Sequence, residues 1–400
     1  MFGLDNMVEE APWRCKSACN FEKIAQVGEG TYGNVFKVKD KTTGEVYAMK
    51  KIKMDKEKEG FPITALREIK LLRQLDHGNI LKLKEIVTSK GNEENSRGNV
   101  YLLFEYLDHD LDGLLNTPRP KINFSIAQLK CFLKQLFLGL QYLHSKSIIH
   151  RDIKCSNLLV NKGGELKLGD FGLARNFHPD KNEVYTNRVI TLWYRAPELL
   201  LGTNKYDTKV DMWSAGCIVG EILGGTPMFP ENDEARVLHK IFQICGTPTE
   251  DTWPGVGLFK YAQKLLPRER LPRKLRVIYE DRDKFPNIDR TALDLLDKLL
   301  TLNPAQRLDA TQALEHPYFQ TEPFPCELAD LLPGVEGDLH EFVRRKRNQQ
   351  EKEAKQAKAE AVAAAPAVTG GRVVPLKRPT TGEVVMPVKK PKTEEEAKPQ

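Results

Sequence analysis

The sequence has no apolar run of about eighteen or more residues, the length that a helix needs to cross a bilayer. We therefore predict no membrane span and no membrane partner. Residues 1–13 include acidic side chains and lack the apolar stretch of a secretory signal, so we expect no secretion.

Cysteine is scarce, and its placement does not indicate a metal site. Seven cysteines are scattered over the 400 residues, and only Cys15 and Cys19 lie close together. No second pair of Cys or His at zinc-binding spacing follows them. We therefore expect reduced thiols, as in a cytosolic or nuclear protein, rather than zinc or disulfides.

Excess charge is absent from most of the chain. The net charge is +6, and residues 341–400 alone account for it, with 14 Lys and Arg against 8 Asp and Glu. The rest of the chain is balanced, so no basic field covers the body and we expect no direct nucleic-acid partner. With 40% apolar and 29% charged residues, the composition is that of an ordinary globular protein.

A glycine-rich pattern near the N-terminus predicts a phosphate-binding loop. Strands are predicted at residues 21–28, 33–39 and 45–52, and the first two flank the sequence GEGTYGNV at 28–35. Its glycines would let backbone N–H groups approach phosphate oxygens without interference from a Cβ atom. The pattern also occurs in dinucleotide-binding folds, but a helix follows it there, whereas a strand follows it here.

Two charged residues after this loop are predicted to form an ion pair. Lys50 lies on the third strand, where a lone lysine is usually solvated. The helix that begins at Pro62 offers Glu68 as its counter-ion. Lys50 would then bind the α- and β-phosphates of a nucleotide. Residues 99–107, an apolar strand with Glu105 near its end, would form the hinge whose backbone meets adenine.

The sequence HRDIKCSN at 150–157 contains the side chains that transfer of a phosphoryl group requires. Asp152 can orient the attacking hydroxyl and accept its proton, Lys154 can lie against the γ-phosphate, and Asn157 can hold Mg²⁺. Eight residues of mixed polarity usually form a solvated turn. The prediction therefore depends on the partner motifs that precede and follow this loop in the chain.

A second magnesium ligand is predicted further along the chain. Asp170 begins the sequence DFG at the end of a predicted strand, and the segment that opens there closes at APE, residues 196–198. A nearly wholly apolar helix is predicted at 211–223, which indicates burial. We also predict that Arg307 pairs with Glu198 rather than lying free on the surface.

Together these motifs, in this order, resemble the signature set of protein kinases over about residues 21–319. The resemblance implies an α+β, bilobal protein kinase fold. Its small β-rich N-lobe, about 21–107, would contain one regulatory helix, and its larger α-helical C-lobe would span about 108–319. Residues 1–20 would form an N-terminal extension, and 320–400 a basic C-terminal extension that is partly helical and then disordered.

The resemblance also implies a kinase that uses ATP and Mg²⁺. The Asp-x-Lys-x-x-Asn form of its catalytic loop is similar to that of serine/threonine rather than tyrosine kinases. The implied catalytic residues are Asp152, Lys154, Lys50 and Glu68, and the implied metal ligands are Asn157 and Asp170. The implied ATP-binding residues are Val27, Gly28, Gly30, Gly33, Val35, Ala48, Lys50, Glu105, Leu107, Asp110 and Leu159.

The sequence PITALRE at 62–68 resembles the cyclin-binding helix of cyclin-dependent kinases, in the form found in the transcription-elongation branch. This resemblance implies a regulatory cyclin bound at the helix from Pro62 to Glu68. It also implies a protein substrate with Ser or Thr before Pro, in the C-terminal repeats of RNA polymerase II and in elongation factors. The implied location is the nucleus, and residues 376–379 and 389–392 look like nuclear import signals.

The sequence YTNRVITLWYR at 185–195 is similar to the activation segment of these kinases. By resemblance, Thr186 is the activating phosphosite. The residues that would clamp its phosphate are Arg67, Arg151 and Arg175. Three arginines drawn together repel one another until a phosphate of charge about −2 joins them, which gives a reason for a switch. Ile190 matches a position with strained backbone, whose carbonyl favours proline after the phosphorylated residue.

Two other functional interpretations are open. The sequence WYRAPE at 193–198 differs from the WYRPPE usual in that branch and matches mitogen-activated kinases. Those kinases, however, have Thr-x-Tyr before it, where this chain has Arg188, and they lack the PITALRE-type helix. A non-catalytic scaffold with the kinase fold is the second alternative, but this chain retains the lysine, aspartates and asparagine that catalysis requires.

The segment beyond the predicted body has two interpretations of its own. Residues 338–347 resemble the extension of some elongation kinases, in which a His-Glu pair approaches ATP; otherwise they form a solvated basic helix. Residues 349–365 are rich in Ala, Lys and Glu without an apolar stripe, so a helix there would be exposed. From Pro366 onward we expect disorder.

Overall fold

The structure is a computed structural model. It describes residues 15–364 apart from 31–32, 54–60, 91–97, 117–123, 179–182, 282, 285–287, 333–334 and 336. The chain divides into two compact units, Met1–Gln349 and Gln350–Gln400, and the site lies in the first. The predicted import signals and the disorder predicted from Pro366 onward lie outside the described residues.

A six-stranded sheet forms most of the N-terminal part of the fold. Its strands are Lys16–Ser17 (β1), Phe21–Gly30 (β2), Gly33–Asp40 (β3), Val46–Lys51 (β4), Leu83–Thr88 (β5) and Val100–Glu105 (β6). They lie in the order β1-β5-β6-β4-β3-β2, and every neighbouring pair is antiparallel except β1 with β5. Because β4 lies between β3 and β6, Lys50 on β4 is placed between the glycine-rich hairpin and the hinge.

One helix, Ile63–Leu72 (α1), follows β4 in the chain. Pro62 is its N-cap residue rather than its first helical residue, so the helix begins one position later than predicted. Its inner face is buried and includes Glu68, whereas Ile63 and Leu66 are 57% and 52% exposed. The helix therefore directs one carboxylate inward and leaves two large apolar side chains in solvent.

The C-terminal part of the first unit is mainly helical. Its helices are Leu111–Asn116 (α2), Ile126–Ser145 (α3), Pro197–Leu200 (α4), Lys209–Gly224 (α5), Glu234–Cys245 (α6), Ala262–Leu265 (α7), Leu275–Tyr279 (α8), Arg290–Leu299 (α9), Ala310–Leu314 (α10) and Pro317–Gln320 (α11). A capping box of Ser125 and Gln128 starts α3. Most residues of α5 are buried, as its nearly wholly apolar sequence predicts. The long helices α3 and α5 thus form the core beneath the site.

Short strands connect this helical core to the site. They are His109–Asp110 (β7), Ile148–Ile149 (β8), Leu158–Val160 (β9), Leu166–Leu168 (β10) and Arg175–Asn176 (β11), paired in the orders β10-β9-β7 and β11-β8. The residues between β8 and β9 contain the predicted catalytic loop, and Asp170 follows β10. The prediction of an α+β fold with a strand-rich N-terminal part and a helical C-terminal part is confirmed.

The chain beyond α11 returns along the body of the first unit. The backbone N–H of Cys326 donates to the carbonyl of Ala127 on α3 at 3.1 Å, and Leu331 is fully buried. A last helix, Glu341–Ala364 (α12), then begins. The predicted boundaries at residues 20, 107 and 319 stay predictions. Among the described residues, no helix has the length and apolar character that a membrane crossing needs.

Candidate active site

A cavity of about 270 Å³ contains most of the predicted nucleotide-binding residues. The predicted residues that line it are Val27, Gly28, Gly33, Val35, Ala48, Lys50, Glu68, Glu105, Leu107, Asp110, Lys154, Asn157, Leu159 and Asp170. Gly30, at the end of β2, and Asp152 are not among the lining residues. The side chains that sequence analysis collected from distant parts of the chain thus meet at one place.

The predicted ion pair is present and includes a third member. Lys50 Nζ lies 2.7 Å from Glu68 Oε1 and 3.0 Å from Asp170 Oδ1. Burial would lower the pKa of Lys50, but the two carboxylates raise it above its usual value. Burial likewise opposes ionisation of Asp170, yet Lys50 holds the pKa of this carboxyl down at about 2. Lys50 and Asp170 are therefore charged at neutral pH, and the contact of Lys50 with Glu68 ties α1 to the cavity.

Close packing of the backbone requires glycine at one position of the loop. A Cβ atom on Gly33 would lie 1.8 Å from the carbonyl oxygen of Lys51 on the neighbouring strand. No side chain fits at that distance, so Gly33 is required by the packing of β3 on β4. The same close approach keeps Val35 and Lys50, which pair across the two strands, at the cavity.

The carboxylate of Asp152 lies in a dense network of hydrogen bonds. Asn157 Nδ2 donates to Asp152 Oδ2 at 3.0 Å, and Lys154 Nζ lies 3.0 Å from the same oxygen. Thr191 donates its hydroxyl to Asp152 Oδ1 at 2.9 Å and accepts from Lys154 Nζ at 3.2 Å. Thr191 lies in the segment 185–195 that resembles an activation segment, but sequence analysis gave it no role. The network fixes the direction of the carboxylate and connects the catalytic loop to the activation segment.

The predicted metal ligands fit magnesium that is shared with a nucleotide. Since Asn157 uses its amide nitrogen on Asp152, its Oδ1 is the atom available to a cation. Asp170 adds a carboxylate, and both residues line the cavity. Mg²⁺ is usually held by one or two carboxylates together with waters and phosphates. Among the described residues, no cluster of three or more His, Cys, Asp and Glu could hold a metal ion.

A buried aspartate on α5 fixes the backbone of the catalytic loop. Asp211 accepts the N–H groups of His150 and Arg151, both at 2.9 Å, and its Oδ2 lies 3.0 Å from His144 Nε2. Arg151 needs this support because its φ is +65°. Burial is the largest influence on Asp211 and opposes its ionisation, but His144, His150 and the N–H of Arg151 together outweigh burial and lower its pKa. Sequence analysis placed Asp211 on a buried helix but gave it no role.

The two predicted acidic ATP-binding residues, Glu105 and Asp110, are bound by other parts of the protein. The carboxylate of Glu105 is bound by Lys167 at 3.0 and 3.1 Å. Asp110 Oδ1 accepts from the N–H of Gly113 at 2.7 Å, and its Oδ2 accepts from the N–H of Glu341 at 2.8 Å. Both acidic residues line the cavity, but each carboxylate already has protein partners.

The C-terminal segment reaches the same cavity. His340, Glu341 and Phe342 line it, and His340 Nε2 lies 3.3 Å from the hydroxyl of Tyr106 in the hinge. Leu339, the residue before His340, forms a bridge with β7, and its carbonyl accepts from the N–H of Asp110 at 3.0 Å. Residues 340–342 thus lie at the cavity, as the His-Glu interpretation expects, whereas Arg345, Lys346 and Arg347 on the helix that starts at Glu341 are exposed, as the interpretation of a solvated basic helix expects.

The predicted phosphosite lies on the surface of the activation segment. Thr186 is exposed, and its backbone carbonyl accepts from the hydroxyl of Tyr206 at 2.7 Å. The same tyrosine accepts from Arg151 Nη1 at 2.9 Å, so Arg151 is connected to Thr186 through Tyr206. Arg175 Nη1 donates to the carbonyl of Ala174 at 3.2 Å. Arg67 is exposed on α1, and the three-arginine clamp stays a prediction.

The backbone at Ile190 has the strain that sequence analysis predicted. Its φ is +67°, which is unfavourable for a β-branched residue. The carbonyl of Ile190 accepts from Nη2 of Arg195 at 3.1 Å, and Arg195 Nε donates to the carbonyl of Val189 at 2.8 Å. The Ile190 carbonyl is thus already bound by the protein and directed at Arg195.

The predicted pair at the end of the activation segment is also present. Arg307 donates from both terminal nitrogens to the two oxygens of Glu198, at 2.8 and 3.0 Å, and both side chains are buried. A bidentate pair of this kind fixes orientation as well as distance. It therefore anchors the C-terminal end of the activation segment to the helical core.

Comparisons with known proteins agree with this geometry. A family model described as "Protein kinase domain" matches residues 21–319. Cyclin-dependent kinase C-1 of Oryza sativa subsp. japonica is 49% identical over 362 residues, covering 88% of this chain and 68% of that protein. Cyclin-dependent kinase 9 of Danio rerio is 44% identical over 335 residues, covering 82% of this chain and 88% of that protein. A chain from the crystal structure of the yeast RNA Pol II CTD kinase CTDK-1 complex is 40% identical, with a TM-score of 0.69, covering 79% of this chain and 98% of that one.

Proposed function

This chain belongs to the protein kinase family, as a serine/threonine kinase related to transcription-associated cyclin-dependent kinases, and we propose that it phosphorylates Ser-Pro and Thr-Pro sites in the C-terminal repeats of RNA polymerase II. The observation that carries this proposal is the closed Lys50–Glu68–Asp170 triad in one cavity with the loop that holds Asp152. The relatives, among them a kinase described as acting on the polymerase CTD, support the choice of substrate.

The proposed reaction transfers the γ-phosphoryl group of ATP to a serine or threonine hydroxyl. Asp152 would orient this hydroxyl and accept its proton while the new P–O bond forms and ADP leaves. Lys154 would lie against the transferred group, since it is held between Asp152 and Thr191. Mg²⁺, bound by Asn157 and Asp170, would neutralise phosphate charge. Lys50 would bind the α- and β-phosphates from the opposite side.

A regulatory cyclin is proposed to bind the exposed face of α1. Ile63 and Leu66 on this face are large, apolar and more than half exposed, which is typical of a protein interface. Glu68 lies on the opposite face of the same helix and contacts Lys50. A partner that holds α1 in place would therefore also hold the Lys50–Glu68 pair, and rotation of α1 without it would separate the two.

The preference for proline after the phosphorylated residue is proposed to come from Ile190. A substrate residue at that position normally offers a backbone N–H, which needs an acceptor when it is desolvated. The Ile190 carbonyl is occupied by Arg195 and cannot serve as this acceptor. Proline has no N–H, so it is the residue that leaves no hydrogen-bond donor unsatisfied after the phosphorylated residue.

Nuclear location is proposed from the transcription-associated relatives and from the basic sequences at 376–379 and 389–392. A mitogen-activated type of kinase is the weaker alternative because Arg188 replaces the tyrosine of its Thr-x-Tyr motif. A non-catalytic scaffold is also weaker, since the triad and the Asp152 network are complete. Neither alternative explains the apolar face of α1.

The proposal is tested with the full chain, tagged and isolated from its own cells with the partners that it retains. Mass spectrometry of these partners should find a cyclin. The isolated complex should phosphorylate a peptide of polymerase repeats at Ser-Pro, and the matched Asp152→Asn complex, which controls for contaminating kinases, should not. Equal phosphorylation of the repeats by the wild-type and Asp152→Asn complexes, or the absence of any cyclin, would contradict the proposal.

A further inference from the structure

A single ion pair joins the start of α6 to the proline-selecting part of the activation segment. Arg195 Nη1 lies 2.6 Å from Glu234 Oε1. We infer that Glu234 is a positioning residue for substrate selectivity: through Arg195 it keeps the Ile190 carbonyl turned away from the substrate. This inference rests on the proline preference proposed above and adds a residue that no motif indicated.

The guanidinium group of Arg195 binds backbone carbonyls on one side and the carboxylate of Glu234 on the other. Its Nη2 donates to the carbonyl of Ile190 at 3.1 Å, and its Nε donates to the carbonyls of Val189 at 2.8 Å and Ile190 at 3.3 Å. Its remaining terminal nitrogen, Nη1, binds Glu234. Because a guanidinium is planar and rigid, fixing one nitrogen on a carboxylate fixes the direction of the other two. Glu234 therefore sets the direction from which Arg195 meets the two carbonyls.

The backbone of Ile190 is strained, so its conformation depends on the contacts that Arg195 and Glu234 provide. A β-branched residue at φ +67° persists only where its surroundings hold it, because the extended region of φ is more favourable. If Arg195 loses its anchor, Ile190 can relax and its carbonyl can turn toward the substrate. That carbonyl would then accept the N–H of any residue other than proline, and the preference for proline would fall.

The fold allows Glu234 to be changed without loss of the interface around it. Its side chain is 49% exposed, whereas that of Arg195 is only 13% exposed. The N-cap of α6 is Asp233, which accepts from the N–H of Arg236, so Glu234 does not start the helix. Trp193 Nε1 donates to the carbonyl of Glu231 at 3.0 Å and keeps the segment docked on α6 independently. Substitution of Glu234 should therefore affect Arg195 rather than the docking.

The test compares two peptides that differ only in Pro or Ala after the phosphorylated serine. The full-length complex described above is prepared as the wild type and as the variants Glu234→Gln, Glu234→Lys and Glu234→Asp. Arg236→Gln, on the same helix, is the matched control. For Glu234→Gln we expect the ratio of kcat/KM for Ser-Pro over Ser-Ala to fall roughly three- to tenfold, about the weight of one charge-assisted bond in a half-exposed site. Glu234→Lys should lower the ratio further, while Glu234→Asp and the control should stay near wild type.

Two further measurements separate positioning from a structural role. The midpoint of thermal unfolding should be the same for wild type and for the three Glu234 variants. In addition, the double variant Arg195→Ala with Glu234→Ala should have the same Ser-Pro over Ser-Ala ratio as Arg195→Ala alone, because Glu234 acts through Arg195. An unchanged Pro/Ala ratio in both Glu234→Gln and Glu234→Lys, or equal losses on both peptides, would overturn the inference. A wild-type complex with no preference for Ser-Pro would instead contradict the proposed function.

Discussion

The nucleotide cavity and the activation segment differ in how fully their functional side chains are paired within the chain. In the cavity, Lys50 is buried and contacts two carboxylates within 3.0 Å. In the activation segment, Thr186 is exposed, and Arg151 reaches it only through the hydroxyl of Tyr206 and a backbone carbonyl. One region is thus held by charges that the chain itself supplies, whereas the other has an exposed hydroxyl at the predicted phosphosite.

This difference indicates a division of labour between the two regions. Charges that are paired inside the chain keep their positions without further chemistry, so the cavity can bind a nucleotide as soon as α1 is in place. A phosphate on Thr186 would add negative charge and acceptor oxygens to the other region. We therefore expect the cavity to govern nucleotide binding and transfer, and the activation segment to govern how efficiently peptide substrate is used.

The largest effect is expected from the carboxylate between the two regions. Asp152→Asn should keep ATP binding and lower kcat by about 10²–10⁴-fold, because the geometry survives while the proton acceptor is lost. Peptide phosphorylation by the cyclin-saturated complex measures kcat, and a fluorescent ATP analogue measures binding. Asp251→Asn, the same substitution on an exposed loop, is the control. An Asp152→Asn rate within a factor of three of wild type would refute the assigned role.

A smaller loss is expected from within the triad. Glu68→Gln removes one of the two negative charges that contact Lys50. It should lower kcat/KM for ATP roughly ten- to hundredfold, the contribution of one charge-assisted hydrogen bond. Kinetics with varied ATP at saturating peptide make the measurement. Glu85→Gln is the matched control, since Glu85 is paired with Lys16 and does not line the cavity. Equal kinetics for Glu68→Gln and wild type would mean that the triad does not serve nucleotide binding.

The smallest effect is expected at the C-terminal edge of the cavity. His340→Ala removes the contact with Tyr106, and the KM for ATP should rise roughly two- to tenfold, as for one neutral hydrogen bond. The KM for peptide should not change, because His340 lines the nucleotide cavity. Lys346→Gln, an exposed position on α12, is the control. A larger change in peptide KM than in ATP KM would place His340 in substrate binding instead.

Sequence analysis predicted the charged residues of the cavity because each belongs to a short motif with its own chemistry. Lys50 and Glu68 follow from a strand lysine and the helix after it, and Glu198 was paired correctly with Arg307 although the two are far apart in the chain. The strained φ of Ile190 was also predicted, from the similarity of its segment to a known family. These predictions hold because the chemistry demands particular side chains at particular places.

The partners that fix these residues could not be predicted in the same way. Thr191, Tyr206 and Asp211 bind the catalytic loop or the activation segment through contacts that only the packing of the chain creates. Asp211 left one signal, as the acidic residue at the start of a nearly wholly apolar helix. Thr191 belongs to the segment 185–195 that resembles an activation segment, but nothing in that sequence indicated its partner. Tyr206 left no signal, because a hydroxyl side chain is common on surfaces and its partner is decided by tertiary structure.

The most direct test of the division between the two regions is to compare nucleotide binding with peptide phosphorylation in Thr186 variants. Three forms are measured at equal cyclin occupancy: phosphorylated wild type, Thr186→Glu and Thr186→Ala. We predict that all three bind ATP with Kd values within about threefold, less than one neutral hydrogen bond contributes. Peptide phosphorylation should fall in the order wild type, Thr186→Glu, Thr186→Ala, because a carboxylate offers less charge and fewer acceptors than a phosphate. If Thr186→Ala phosphorylates peptide as well as phosphorylated wild type, or if it loses ATP binding to the same extent as activity, the proposed division is wrong.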